Sequence, residues 1–133
     1  GFNWNECQTT FMQGRAAMWV DGIGFAAPLE DRNRSRVAGK VGYALVPKGP
    51  GANHHCALFG AGYGIPEASR KKGPAWLWIQ WALSKGNQLK FLASGAGVPA
   101  RSSPFSNEQA ISGSHFPREF FQTLEASAKI ARA

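Results

Sequence analysis

Apolar positions recur along the chain with two spacings. Between Trp4 and Gln13 (WNECQTTFMQ) they fall at Trp4, Cys7 and Phe11, which lie on one face of a helix, and Gly14 supplies a C-terminal cap. Residues 15–20 and 41–46 (VGYALV) are short apolar runs that predict strands, the first ending near Gly22 and the second at Pro47. The stretch 54–65 (HHCALFGAGYGI) predicts a third extended segment, interrupted by three glycines. Helical spacing returns over 70–84, apolar almost all round with Trp76, Trp78 and Trp81, so this helix must be covered on several sides. Further helices are expected at about 86–94 (Leu89, Phe91, Leu92), at 106–112, and at 116–131, where Phe120, Leu124 and either Ser127 or Ala128 share a face. Two stretches break the pattern: PKGPGAN (47–53), an exposed loop, and GAGVPARSSP (95–104), a linker or hinge. The strand segments lack polar alternation, as expected of strands covered on both faces. The predicted class is α/β, with few strands covered by helices, forming part of a larger sheet.

Composition narrows this reading only slightly. The chain has 133 residues, one domain by length, and 44% hydrophobic residues are enough for a core. The longest apolar stretch, Ala75–Leu83 (AWLWIQWAL), contains Gln80 and is about half of what a membrane span needs. The chain opens GFNWNECQTTF, without Met or a charged-then-apolar leader, and reads as the middle of something, so no location is inferred from its start. The net charge of +7 raises nucleic acid as a partner. The cations are scattered, however, with small clusters at Arg32, Arg34, Arg36 and at Arg70, Lys71, Lys72 beside loop residues, and this argues against nucleic-acid binding. Cys7 and Cys56 have no CxxC or zinc spacing; export would allow them to pair as a disulfide, and two buried free thiols are the favoured reading.

Few residues invite chemistry. His54-His55-Cys56 suggests a metal or a thiol nucleophile, but adjacent strand residues face opposite ways, and a third ligand would have to come from His115 or a carboxylate. FGAGYG (59–64) lacks the Lys-Ser/Thr of a phosphate loop and does not open a helix at once; it marks a close backbone approach, to a ligand or to another strand. Asp21 and Glu30 make no convincing acid pair, and there is no nucleophile elbow. No enzyme, cofactor or metal is expected. Trp19, Phe25 and Tyr63 stand in or beside glycine-rich strand ends, with Asp21 and Arg101 as charged groups. A polyhydroxylated ligand asks for such a set: rings for its C–H faces, charges for its paired hydroxyls.

Four stretches, taken in order, resemble the extracellular solute-binding proteins of ABC importers, in the sugar- and polyol-binding group related to maltose-binding protein. FMQGRAAMWVDG (11–22) is similar to the family's F-x-x-G-K/R-x-A-M followed by a ligand-facing aromatic or acid. KVGYALVPKGPG (40–51) is similar to V-G-x-x-x-x-P-x-G-x-G. LFGAGYGIPEASRKKGPAWLWIQWALSKGNQ (58–88) resembles G-G-x-x-x-I-x-x-x-S-K-x-K-x-A-A-W-x-F-I-x-W-L-x-S, and GVPARSS (97–103) resembles G-x-x-P-x-R-x-S. The usual Gly-Gly is Gly60-Ala61-Gly62 here, the aromatic after it is Tyr63, and Gly73-Pro74 stands where the family prefers helix formers.

The resemblance implies two α/β lobes joined by a hinge, with this chain as the C-terminal third or so of a longer protein. Residues 1–37 would belong to the second lobe, 38–97 to the first and 98–133 to the helical C-terminal part of the second, with crossings near 38–40 and 95–100. It implies a sugar or polyol ligand between the lobes, with Trp19 stacking, Asp21 pairing hydroxyls, the backbone at Gly60, Ala61 and Gly62 donating, Tyr63 as a wall and Arg101 opposite. The implied partners are the ABC transporter membrane subunits, and the rest of the chain or a second copy. The implied location is periplasmic or extracellular, membrane-tethered in a lipoprotein. Two other readings stay open: a small basic module binding nucleic acid or an acidic partner, and a free-standing module with an activity at His54 and Cys56.

Overall fold

The computed structural model describes residues 1–51, 53–57 and 60–132. Helices dominate: α1 (Trp4–Met12), α2 (Lys72–Ala82), α3 (Lys85–Ala93), α4 (Glu108–Ser112) and α5 (Arg118–Ile130). Two 3₁₀ turns, Ile23–Phe25 and Ala27–Glu30, follow α1. Among the described residues the only ladder is a parallel pair, β1 (Cys56–Ala57) and β2 (Ala131–Arg132), with Cys56 opposite Ala131.

Each helix end has a local cause. Asn3 and Glu6 form a capping box at the start of α1: the Asn3 side chain accepts from the backbone of Asn5 and Glu6, and Glu6 accepts from the Asn3 N–H. α1 stops at Gly14 (φ +72°), where the Gly14 N–H donates to Phe11 and the Arg15 N–H to Thr10, a Schellman turn. α3 ends the same way at Gly95 (φ +70°), with the Gly95 N–H to Leu92 and the Ala96 N–H to Phe91. At Gly95 a side chain is excluded twice, because a Cβ there would also collide with the His115 ring and lie 3.1 Å from Phe116. Pro74 sits in the first turn of α2, where no intrahelical N–H is needed.

The core is built around α5. Phe120, Phe121 and Leu124 are buried, and Phe116 stacks on Phe120 with ring centroids 4.1 Å apart. Phe105, Ala110, Leu92, Met12, Ala26 and Leu29 close around them. Burying each large side chain contributes roughly 1.5–3 kcal/mol. The expected linker at 95–104 is therefore not a free one: Gly95, Pro99 and Pro104 are buried, Val98 packs against the core, and Phe105 just after it belongs to the core.

Two strand expectations need correction. Residues 15–20 form no ladder, and Met18 and Val20 are exposed (72% and 59%). Residues 41–46 form none either, because their anchors are side chains. The Tyr43 N–H donates to Glu119 (3.1 Å), the Thr123 hydroxyl donates to the Tyr43 carbonyl (3.1 Å), and the Tyr43 ring packs edge-on against Phe120. A helix surface thus takes the place a neighbouring strand would fill. Within 54–65 the ladder shrinks to Cys56–Ala57, while Leu58 and Phe59 lie outside the described residues. The α/β expectation is met only to this extent.

Tyr43 also completes the burial of an acid. Glu30 is 8% exposed, and its carboxylate accepts from the Gly39 N–H and the Tyr43 hydroxyl, both at 2.8 Å. Burial, the bond to Glu30 and the charges of Glu30 and Glu119 raise the Tyr43 phenol far above its ordinary range.

The expectation that α2 is covered on several sides is not met by these residues. Only Ile79 is buried, while Trp76, Leu77, Trp78 and Trp81 are 51–65% exposed.

Two outcomes follow. Tyr43→Phe removes one donor from a buried carboxylate and should cost about 1–3 kcal/mol in urea unfolding at pH 8. A phenol with a raised folded pKa stabilises fully below the unfolded value of 10.0 and loses that contribution above it, so the gap between wild type and variant should narrow as pH passes 10. A gap independent of pH would contradict a half-buried phenol held protonated against Glu30. Separately, the exposed α2 face should drive self-association of the 133-residue chain at micromolar concentration in sedimentation velocity. Trp76→Ser with Trp81→Ser should reverse it, and a wild-type monomer would show the face to be tolerated in water.

Candidate functional site

The residues singled out in the sequence fall in three places. The first is built on α1. After the Gly14 turn the chain returns along the helix, and Trp19 packs on Phe11, half-buried, with ring centroids 6.2 Å apart. Asp21 follows in solvent, its Oδ1 accepting from the Gly22 N–H at 2.7 Å. The 3₁₀ turn after it brings Phe25 to 5.5 Å from Trp4, and the Gln8 amide fixes the turn by donating to the Phe25 carbonyl. This corner therefore offers an aromatic surface and an exposed carboxylate side by side. Glu30 does not join it: its carboxylate is buried and committed to Gly39 and Tyr43, so Asp21 and Glu30 form no pair.

The second place lies along α2. Gly60, Ala61 and Gly62 are exposed, and nothing fills the space where a Cβ on either glycine would stand. Tyr63 stands edge-on to Trp78, with ring centroids 5.2 Å apart. These two rings, with Ile65, Pro66, Ala75 and Ile79, line an open, mostly apolar groove of about 290 Å³. A glycine-rich backbone beside aromatic walls allows close approach of a small ligand with C–H faces.

The third place is the C-terminal end of α2. Arg101 is exposed and donates from Nε to the Leu83 carbonyl at 2.8 Å. A cation is favoured there, where carbonyls left without intrahelical partners gather negative charge. Gln88 and Asn87 bond the two preceding carbonyls. Among the described residues no hydrogen bond or ring contact joins the three places to one another.

The histidines and cysteines stay apart. His54 Nδ1 meets the Val46 carbonyl, His115 stacks on Phe116, and Cys7 and Cys56 are free and half-buried. Among the described residues no group of three His, Cys, Asp or Glu side chains stands ready for a metal, and no helix is long and apolar enough to cross a membrane.

Sequence reasoning passed over Tyr43 and Gln88. Tyr43 looked like one apolar position among others. Gln88 carried a signal: it stands four residues before Leu92, on the face that α3 buries, where an amide needs partners.

A family model described as bacterial extracellular solute-binding protein matches residues 1–89. The chain is similar to an erythritol/L-threitol-binding protein of Mycolicibacterium smegmatis, 32% identical over 88% of this chain and 25% of that protein. It is also similar to a mannitol-binding protein of Pseudomonas aeruginosa, 29% identical over 91% of this chain and 28% of that protein. It thus spans about a quarter of the length of these relatives. No solved structure matches it significantly. With residues 1–89 of 133 matched, the chain belongs to the family of bacterial extracellular solute-binding proteins.

Proposed function

We propose that these residues are part of a protein that binds a sugar or polyol between two lobes and delivers it to the membrane subunits of an ABC importer. The observation that carries the reading is the family match over residues 1–89, joined to similarity with two polyol-binding proteins. The chemistry agrees. Asp21 and Tyr63 are exposed and Trp19 is half-buried, so all three retain surface for a ligand. In this reading Trp19 stacks on the ligand's C–H face, Asp21 accepts from its hydroxyls, the backbone at Gly60, Ala61 and Gly62 donates, Tyr63 forms a wall and Arg101 donates from the other side. The protein acts outside the cytoplasm, in the periplasm or at the outer surface, tethered to the membrane if it is a lipoprotein. It binds its ligand without transforming it.

The lobe assignment draws support from the core. Residues 1–37 and 98–133 share it through Met12, Ala26 and Leu29 on one side and Phe105, Phe116 and α5 on the other, whereas α2 contributes nothing to it; Val41, Tyr43 and Leu89, from the segment assigned to the first lobe, pack against its edge. Leu92 joins from the end of α3, next to the second proposed crossing. Gly39 and Gly95, both with positive φ, stand at the two crossings proposed near 38–40 and 95–100. The exposed apolar face of α2 is where the rest of the protein, or a second copy, would cover this piece.

Titration of erythritol, L-threitol, mannitol and maltose into the protein encoded by the complete reading frame tests the proposal. One of them should bind saturably, with affinity nearly unchanged between low and high salt. An affinity for nucleic acid that falls steeply with salt, and none for any neutral polyol or sugar, would favour the basic-module reading instead. With the ligand in hand, Trp19→Ala should weaken binding about tenfold through loss of ring stacking, with the protein still folded though its melting temperature falls as the Phe11 contact is lost. Unchanged affinity would remove Trp19 from the site.

A further inference from the structure

The last three carbonyls around the end of α2 are each taken by a side chain from further along. Asn87 Nδ2 donates to Trp81 (2.7 Å), Gln88 Nε2 to Ala82 (2.9 Å) and Arg101 Nε to Leu83 (2.8 Å). Gln88 does a second thing: its Oε1 accepts from the Ala100 N–H at 2.6 Å. Its two bonds therefore hold Ala82 and Ala100, and these are the residues immediately before Leu83 and Arg101. The amide orientation is forced, because a carbonyl demands the NH₂ and a backbone N–H demands the oxygen. Gln88 is 7% exposed with both ends satisfied, so the staple is fixed on a buried side chain.

Arg101 itself is exposed, and among the described residues only its Nε is engaged. A guanidinium carries five N–H donors in a rigid plane. With Nε tied to Leu83 that plane is oriented, and the four donors on the two Nη atoms remain for a ligand.

We propose that Gln88 is a positioning residue: by stapling Ala82 to Ala100 it holds Arg101 on the Leu83 carbonyl, so that the Nη pair meets two neighbouring hydroxyls of a polyol as a preformed fork. This rests on the functional reading above and adds to it the residue that sets the fork. Preorganisation of this kind raises affinity by removing an ordering cost rather than by adding a contact.

The test is a double-mutant cycle in the protein from the complete reading frame, using the polyol that wild type binds best. Gln88→Met is close in volume and makes neither bond. It should weaken binding about tenfold with Arg101 present and less than twofold in an Arg101→Ala background. Gln88→Leu likewise makes neither bond; it should give the same loss, and it serves if Gln88→Met does not fold. Arg101→Lys keeps the cation at the helix end without the fork, and should lose affinity at an unchanged melting temperature. Equal losses in both Arg101 backgrounds would show Gln88 to be merely structural and would overturn the assignment, as would no loss in either. A wild-type protein that binds no polyol or sugar would remove the functional reading and this assignment together, whereas wild-type binding with additive losses would remove the assignment alone.

Discussion

A carboxylate taken out of water must be met by donors, and Glu30 imposes that requirement on this chain. Its two oxygens are met by the Gly39 N–H and the Tyr43 hydroxyl. The first bond bends residues 31–39 back onto the 3₁₀ turn, and the second brings the next segment beneath it. Tyr43 then passes the constraint to α5, through its backbone to Glu119 and Thr123 and through its ring to Phe120. An acid, a phenol and a helix are so linked that the N-terminal turns and the C-terminal helix share one core. Losing either donor leaves one buried oxygen without a partner, which costs more than the bond itself contributes.

The helices were legible in the sequence because their information is local. Spacing at Trp4, Cys7 and Phe11, a cap at Gly14 and a periodic run after Phe116 each describe bonds within a few residues. The strands were not legible, because a strand is defined by its neighbour. Ala16–Val20 and Val41–Val46 have strand composition, yet no ladder forms along them, and what Tyr43 finds instead is α5. The candidate site residues could be named from the sequence, but not their arrangement. Trp19, Asp21 and Tyr63 retain exposed surface. The edge-on contact of Tyr63 with Trp78 and the hold of Arg101 on Leu83 depend on how α2 lies against segments far from it in sequence, which no spacing encodes.

The two kinds of surface in the molecule make different demands. Around α5 the apolar residues are satisfied, and the buried polar groups have partners. Along α2 three indoles stand in water, and the glycine-rich stretch beside them is open. The two polyol-binding relatives are each about four times as long as the part matched here. The asymmetry sets a self-sufficient part beside a part whose sequence is written for company, and the Gln88 staple lies at the junction between them.

The span of the Tyr43 contacts has a consequence for how the protein is made. Its partners Glu119 and Thr123 lie 76 and 80 residues downstream. Synthesis runs from the N-terminus, so Glu30 and Tyr43 leave the ribosome long before the helix that closes over them exists. During that interval α2 and its tryptophans stand beside a core that α5 has not yet completed. Contacts so distant in sequence also pay their loop-closure entropy before any packing rewards it. The Tyr43 segment therefore stays without its partners until α5 has emerged.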